Sequence, residues 1–239
     1  MNNLTVEDIH SIVLNNNFLF YYQPIMDNKS LKITSAEALV RFKDKDGRIH
    51  SPSGLIERIE SDEVQKHLVL QAINSVINTL RKTDINISMN LTCRDIEDKY
   101  ISKTIYNILE NNIDISHRII FEVTESEMIS NYKSAINFIK TVKEFKCKIA
   151  IDDFGTGYSN YSNLTLDVDY VKIDGEIIKD IEFNNKKLNI LISVVGLLKK
   201  LGIYSVAEYV YNKRIFEIVR SIGVDYSQGF YISKPLESL

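Results

Sequence analysis

Short apolar runs alternate with amphipathic segments along most of the chain, and this alternation restricts the possible folds strongly. Runs rich in β-branched and aromatic residues at 85–91, 118–123 and 148–151 are typical of strands. Between them, at 101–109 and 135–145, apolar residues recur three and four positions apart, which predicts helices. A regular alternation of strands and helices favours parallel strands joined by helical crossovers.

The complete pattern predicts an α/β fold with eight strands. These strands are 19–25, 33–42, 85–91, 118–123, 148–151, 170–173, 204–207 and 224–227, and the helices are 53–60, 64–80, 101–109, 135–145, 188–201 and 214–222. Eight strands in about 220 residues fit a modified TIM-type (β/α)8 barrel. Only the short polar turn 27–30 separates the first two strands, which favours an antiparallel first strand because a parallel return needs a longer crossover. We therefore predict a leading helix or linker over residues 1–17 and a single barrel domain over residues 18–239.

Composition excludes several classes of partner. The net charge of -3 provides no basic surface for duplex DNA or RNA. The longest apolar stretch, 190–198, is interrupted by Ser193 and Gly196 and is too short to span a membrane. The first residues lack the pattern of a signal peptide. Cys93 and Cys147 are predicted at opposite ends of a parallel sheet, so we expect reduced thiols and a cytoplasmic protein.

Two adjacent carboxylates stand inside the stretch 149–158, which reads I-A-I-D-D-F-G-T-G-Y. Asp152 and Asp153 end an apolar run, and Gly155 and Gly157 follow at once. Aspartate followed by glycine is ordinary turn chemistry. Adjacent carboxylates also repel each other, so they commonly accompany a bound cation. Taken alone, this stretch is compatible with either a turn or a metal site.

Polar side chains recur at the carboxyl ends of the predicted strands. They are Glu37, Asn90, Glu122, Asp152, Asp153, Lys172, Glu208 and Gln228. In a barrel these ends converge on one face, where such folds place their active sites. A set of carboxylates and carboxamides without His or Cys suits Mg²⁺ or Mn²⁺, and a pair of ions about 3.5–4 Å apart suits phosphoester hydrolysis. A lysine in this ring could orient or deprotonate water, neutralise a phosphate, or act as a counter-ion for the acids.

Seven short motifs, in order along the chain, resemble those of the EAL domain family. They are Y-Q-P at 22–24, E-A-L-V-R at 37–41, N-L-T at 90–92, E-V-T-E-S at 122–126, D-D-F-G-T-G-Y-S at 152–159, K-I-D at 172–174 and Q-G-F at 228–230. The similarity covers about residues 18–237. It implies a phosphodiesterase that opens cyclic di-GMP to linear pGpG, with a modified barrel that contains one antiparallel strand.

The resemblance also implies a role for individual residues. The implied ligands of two Mg²⁺ or Mn²⁺ ions are Glu37, Asn90, Glu122, Asp152 and Asp153. Lys172 and Glu208 would manage the attacking water, and a position for Glu208 near a metal stays open. Gln23, Arg41 and Gln228 would contact the dinucleotide, and Glu125 would support the loop 154–160. The family often forms homodimers through helices near that loop, and Ca²⁺ usually inhibits its enzymes.

One motif departs from the family pattern. The family has Glu-Gly-Val-Glu after the seventh strand, whereas this chain has Glu208-Tyr209-Val210-Tyr211. Tyr211 removes a charge from the outer shell of the metals, where such losses typically reduce activity about 10–100-fold. If position 209 requires a positive φ, Tyr209 adds strain of about 1–2 kcal/mol. We predict an active enzyme that is slowed by these tyrosines.

Two other functions stay open at this point. One is a cyclic di-GMP-binding sensor or interaction module that no longer hydrolyses its ligand. The other is a different oxygen-ligated barrel enzyme, such as an enolase-type proton abstractor, which the motifs around Gln23 and Arg41 do not support. The sequence also leaves open whether the chain is a stand-alone protein or a domain of a longer one.

Overall fold

The structure, a computed structural model, describes residues 4–52, 59, 61–130, 132–156 and 161–239. Almost all of the predicted helix 53–60 lies outside these residues, as do residues 157–160 of the predicted loop. Among the described helices, none has both the length and the apolar character that a membrane crossing requires.

A single mixed sheet closes on itself to form the barrel. Its strands in the described part of the chain are β1 (Phe18–Asp27), β2 (Ile33–Lys43), β3 (Ile49–His50), β4 (Asn86–Asn90), β5 (Ile119–Thr124), β6 (Lys148–Phe154), β7 (Tyr170–Ile173), β8 (Tyr204–Ala207) and β9 (Tyr226–Gln228). Their order is β1-β9-β8-β7-β6-β5-β4-β2-β3, and β1 also pairs with β2. Strand β1 is antiparallel to both of its neighbours, while β4 to β9 run parallel to β2. The predicted barrel with an antiparallel first strand is confirmed.

Helices cover the outside of the barrel. They are α1 (Val6–Leu14), α2 (Asp62–Leu80), α3 (Cys93–Glu97), α4 (Lys99–Glu110), α5 (Glu125–Ser130), α6 (Tyr132–Glu144), α7 (Gly175–Ile178), α8 (Asn185–Leu201) and α9 (Lys213–Ile222). Local signals fix several helix ends: Thr5 and Asp8 form a reciprocal cap on α1, and Gly202 ends α8 with a φ of 74°. Helices α3, α5 and α7 were not predicted, because helices this short carry too few residues to show a periodic apolar pattern.

Two layers of buried apolar side chains stabilise the barrel. The larger one lies between the outer face of the sheet and the helices, and it contains buried residues such as Phe121, Phe138 and Ile149. A smaller cluster fills the barrel itself and consists of Ile25, Ile120, Ala150, Tyr170 and Val206. Side chains two positions further along a strand point to the same side of the sheet. On the parallel strands β5 to β8, the residues that follow Ile120, Ala150, Tyr170 and Val206 by two positions therefore also face the barrel axis, at its carboxyl end.

Strand β6 ends differently from the prediction. The sequence suggested that the strand stops before the acids, but it continues through Asp152 and Asp153 to Phe154. Its register with β7 is interrupted between Ile151 and Phe154, and Asp153 has a φ of 54°. This irregularity places an extra residue in the strand, which is the character of a β-bulge. The two aspartates consequently belong to a bulged strand end and not to a free turn.

Candidate active site

The carboxyl end of the barrel collects the polar residues that the sequence singled out. Strands β2, β4, β5, β6 and β7 supply Glu37, Asn90, Glu122, Asp152 and Lys172, while Glu208 directly follows β8 and Gln228 ends β9. The carboxyl, amide and ammonium groups of these residues contact one another in a single connected cluster. We call this group the acidic cluster.

Lys172 lies at the centre of the acidic cluster. Its side chain is 2% exposed, and its Nζ atom lies 2.7 Å from Glu122 Oε2 and 3.2 Å from Glu37 Oε2. The same Nζ atom is 3.0 Å from Asp152 Oδ1 and 3.0 Å from Glu208 Oε1. One ammonium group therefore serves carboxylates from four different strand ends, and its desolvation is offset by their combined charge.

Two carboxamides complete the contacts of Glu37. Asn90 donates a hydrogen bond from Nδ2 to Glu37 Oε1, and Gln228 donates from Nε2 to Glu37 Oε2, both over 2.8 Å. These bonds and the Lys172 charge lower the pKa of Glu37, although burial opposes them. The Oε1 atom of Gln228 is buried and has no hydrogen-bond partner among the described residues. A buried acceptor without a donor is consistent with a site that takes a further positive group or a water.

Burial raises the pKa of three further carboxyl groups at this site, those of Glu122 and Glu208 in the acidic cluster and that of the neighbouring Asp153. Burial raises the pKa of Glu122 to about 8 against the effect of the Lys172 charge. Burial raises the pKa of Glu208 well above its ordinary value, and burial together with the Asp152 charge raises that of Asp153 to about 6. The protein alone thus supplies too little positive charge to keep all of these carboxylates ionised at neutral pH.

The carboxylates form two groups of three that could each hold a metal ion. One group is Glu37, Glu122 and Asp152, and the other is Asp152, Asp153 and Glu208, with ligand oxygens that lie within 4.8 Å of one another in each group. Asp152 belongs to both. The donors are all carboxylate oxygens, which suit hard divalent cations such as Mg²⁺ and Mn²⁺. With one lysine against five carboxylates, full ionisation leaves four negative charges, which two divalent cations would neutralise.

The bulge explains how two consecutive aspartates reach the same place. In a regular strand successive side chains point to opposite faces, so Asp152 and Asp153 would separate. The positive φ of Asp153 turns its carboxylate back toward the barrel mouth. Glu125 at the start of α5 supports the segment directly after β6, since its Oε2 accepts a hydrogen bond from the backbone N–H of Gly155 over 3.2 Å. Gly155 has a φ of 100°, and a Cβ there would lie 2.3 Å from Ile177 Cδ1, so glycine is required.

Gln23 and Arg41, the other predicted substrate contacts, lie outside the acidic cluster. Gln23 Nε2 donates to the Ser233 carbonyl over 3.3 Å. Arg41 stands four residues after Glu37 on β2, and its guanidinium carbon lies 5.6 Å from the ring centroid of Tyr21. Sequence reasoning did not single out Tyr21. The predicted antiparallel hairpin could have indicated this residue. It pairs Tyr21 with Leu39, two residues before Arg41, so the two side chains are diagonal neighbours across the strands.

The chain belongs to the EAL domain family, whose profile it matches over residues 7–235. It is 32% identical over 232 residues to Cyclic di-GMP phosphodiesterase PdeB of Shewanella oneidensis, covering 92% of this chain and 26% of that protein. It is 33% identical over 230 residues to Cyclic di-GMP phosphodiesterase PdeF of Escherichia coli, covering 92% of this chain and 30% of that protein. The chain therefore spans less than a third of the length of these relatives.

The fold also agrees with solved structures. An EAL domain protein from Listeria monocytogenes superposes with a TM-score of 0.85 at 27% identity, with coverage of 99% of this chain and 96% of that one. This chain thus shares its overall fold with that EAL domain protein.

Proposed function

We propose that this chain is a metal-dependent phosphodiesterase that hydrolyses cyclic di-GMP to linear pGpG. The observation that carries the proposal is the pair of carboxylate groups that share Asp152 at the mouth of the barrel. Two carboxylate groups with a common member suit two neighbouring divalent ions. The substrate follows from the family and from the relatives that are named cyclic di-GMP phosphodiesterases.

The residues fit Mg²⁺ or Mn²⁺. Glu37, Glu122 and Asp152 would hold one ion, and Asp152, Asp153 and Glu208 the other. Asn90, whose Nδ2 donates to Glu37 Oε1, would add its carboxamide oxygen as a further ligand. When bound, such ions supply Lewis-acid charge to the phosphate and lower the pKa of water. Ca²⁺ prefers longer bonds and more ligands, which is the basis for the expected inhibition.

Lys172 and Glu208 are suited to different parts of the proton transfer. The surrounding carboxylates raise the pKa of Lys172 well above its ordinary value despite its burial. Its Nζ atom therefore donates hydrogen bonds and does not act as a base. Glu208 lies beside Lys172 at the barrel mouth, burial raises its pKa, and it can take the proton of the attacking water at an Oε atom. The base would thus stand directly after β8 and the fixed positive charge on β7.

The remaining assignments concern the substrate and the assembly. Arg41 stands on the rim of the barrel mouth, and its planar guanidinium can bind two phosphate oxygens. Gln23 on β1 and Gln228 on the neighbouring strand β9 add amide groups that can contact the substrate. The buried free thiols of Cys93 and Cys147 are consistent with a reducing, cytoplasmic location. We also propose a homodimer, on family resemblance alone.

The experiment that tests the proposal is hydrolysis of cyclic di-GMP by the purified protein in Mn²⁺, with pGpG measured by chromatography. We expect turnover, its loss in Glu37→Gln, and unchanged turnover in Glu217→Gln, which alters a half-exposed carboxylate on α9. A Tyr211→Glu variant that turns over faster than the parent would show that the tyrosine slows the enzyme. Binding of cyclic di-GMP without hydrolysis would instead support the sensor function.

A further inference from the structure

Tyr209 adopts a backbone conformation that favours glycine. Its φ is 54°, in the left-handed region, which adds about 1–2 kcal/mol of strain for a residue with a Cβ. Its neighbours explain why the conformation persists. The backbone N–H of Glu208 donates to the Ile173 carbonyl over 3.1 Å, and that of Val210 donates to the Gln228 carbonyl over 3.0 Å. Position 209 is fixed between these two bonds.

The side chain of Tyr209 lies directly on Gly175, the first residue of α7. A Cβ at Gly175 would lie only 2.8 Å from Tyr209 Cβ and 3.2 Å from its Cγ. On its other side the Tyr209 ring meets the ring of Tyr211 edge to face, with centroids 5.3 Å apart and an interplanar angle of 61°. Gly175 and Tyr211 thus support the Tyr209 ring from two sides, and we call the two tyrosines the aromatic pair.

The aromatic pair is exposed although it is well supported. Tyr209 is 56% exposed and Tyr211 is 38% exposed. Two aromatic rings are far too small to form a stable protein interface, which needs about 800 Å² from each partner. A nucleobase, in contrast, needs only one aromatic face to stack on. The size of the pair therefore favours a small planar ligand.

The aromatic pair is continuous with the acidic cluster. Tyr209 follows Glu208 directly, and Glu208 Oε1 lies 3.0 Å from Lys172 Nζ. On the side of α7, Asp174 precedes Gly175 and donates its backbone N–H to the carbonyl of Phe154, the residue after Asp153, over 3.2 Å. The backbone on both sides of the contact between Tyr209 and Gly175 is therefore linked to the group formed by Asp152, Asp153 and Glu208. One link runs through Glu208 itself, and the other runs through Asp174 and Phe154 to Asp153.

We propose that the aromatic pair is a stacking platform for a purine base of the dinucleotide, with Tyr209 as the contacting ring and Tyr211 as its support. This inference rests on the proposed function, because it takes the ligand to be a guanine dinucleotide. A substrate whose phosphate lies at the acidic cluster carries its bases toward the rim, where the two rings stand. Stacking on an aromatic side chain is tolerant of base identity, so Tyr209 would strengthen binding without selecting guanine.

The test compares Tyr209→Leu, which removes the ring, with Tyr209→Phe, which keeps it. Binding of pGpG in Mn²⁺ is measured by calorimetry, and inorganic phosphate serves as the probe that has no base. We expect Tyr209→Leu to raise the Kd for pGpG roughly 5–100-fold, while Tyr209→Phe stays within about twofold of the parent. The affinities for phosphate and for Mn²⁺ should not change in either variant. In turnover of cyclic di-GMP, the loss should fall on KM more than on kcat.

Several results would overturn the platform. An unchanged Kd for pGpG in Tyr209→Leu would do so, as would an equal loss of phosphate and pGpG binding, which would mean that Tyr209 acts only through the fold or the metals. Failure of the proposed function looks different. If Tyr209→Leu weakens the binding of pGpG as expected but the parent never hydrolyses cyclic di-GMP, the platform stands while the phosphodiesterase assignment falls. If the parent binds neither dinucleotide, both fall.

Discussion

Inside the barrel, two layers of side chains lie two residues apart on the same strands and have opposite properties. Ile120, Ala150, Tyr170 and Val206 form the inner, apolar layer, and Glu122, Asp152, Lys172 and Glu208 follow them in the outer, charged layer. The inner layer is satisfied by packing within the protein. The outer layer contains more carboxyl groups than its single ammonium group can neutralise. The same strands thus stabilise the fold with their apolar side chains and, two residues further on, place an excess of carboxylates that suits bound cations.

The largest expected effect comes from Asp152, which belongs to both carboxylate groups. Asp152→Asn should lower the hydrolysis of cyclic di-GMP by about 10³-fold, because both ions lose a shared ligand worth several kcal/mol in the transition state. The metal-free protein should not lose stability, since the change removes one of several repelling charges. Activity assays and thermal unfolding in EDTA measure the two effects. If Asp152→Asn lowered both the activity and the Tm in EDTA, the charged layer would also stabilise the fold, and the contrast with the apolar layer would be wrong.

The matching change in the inner layer is Ile120→Ala. Removal of this buried side chain should lower the free energy of unfolding by about 2–5 kcal/mol through lost contacts and a cavity. At a temperature well below the transition, activity in saturating Mn²⁺ should stay within about fivefold of the parent. Urea unfolding and initial rates give the two numbers. If activity fell as far as in Asp152→Asn, the apolar layer would have to position the acids directly.

The third prediction concerns pH. Folding raises the pKa of Glu122 to about 8 and that of Asp153 to about 6, so between the ordinary carboxyl range and pH 8 the folded protein holds more protons than the unfolded one. Its stability without metal should therefore fall as the pH rises through this window. Saturating Mn²⁺ should abolish the fall, and the gain in Tm from Mn²⁺ should be larger at pH 8 than at pH 6.

The control for the pH prediction is Glu122→Gln, which removes the group with the more strongly raised pKa. In EDTA this variant should show a flatter dependence of Tm on pH than the parent. An identical slope in the two proteins would mean that other groups set the pH dependence of the fold.

The smallest expected effect is at Tyr209 and Gly175. Gly175→Ala should destabilise the fold by about 1–2 kcal/mol, because the new Cβ meets the Tyr209 side chain at 2.8 Å. Tyr209→Gly should be neutral or stabilising by up to about 1 kcal/mol, since it relieves the positive φ. In the double variant the Gly175→Ala penalty should largely disappear. Additive effects across this cycle would show that the two residues do not constrain each other.

The sequence was informative where the signal is local. Glu122 and Lys172 follow or interrupt short apolar runs, and that pattern identifies a strand end without knowledge of the fold. The closed barrel followed from the number of strands and the short turn between the first two. The family's glycine at position 209 raised the question of a positive φ there, and the structure gives Tyr209 a φ of 54°.

Other features depend on contacts that are remote in the chain. The bulge at Asp152 and Asp153 is set by the register of β6 against β7, which residues 149–158 alone do not reveal. The position of Lys172 among four carboxylates requires strand ends that are up to 135 residues distant. The contact between Arg41 and Tyr21 depends on the pairing of β1 with β2. Helices α3, α5 and α7 are too short for a periodic signal.

The closure of the barrel also has a consequence for the synthesis of the protein. Strand β1 is held between β2 and β9, and Gln228 reaches Glu37 across 191 residues of sequence. During translation the acids of the early strands leave the ribosome long before the partners that complete their arrangement. The acidic cluster cannot be complete until β9 has also emerged. A chain that ends before β9 would therefore contain all five carboxylates of the two groups but would lack Gln228, which donates to Glu37, and the strand that pairs with both β1 and β8.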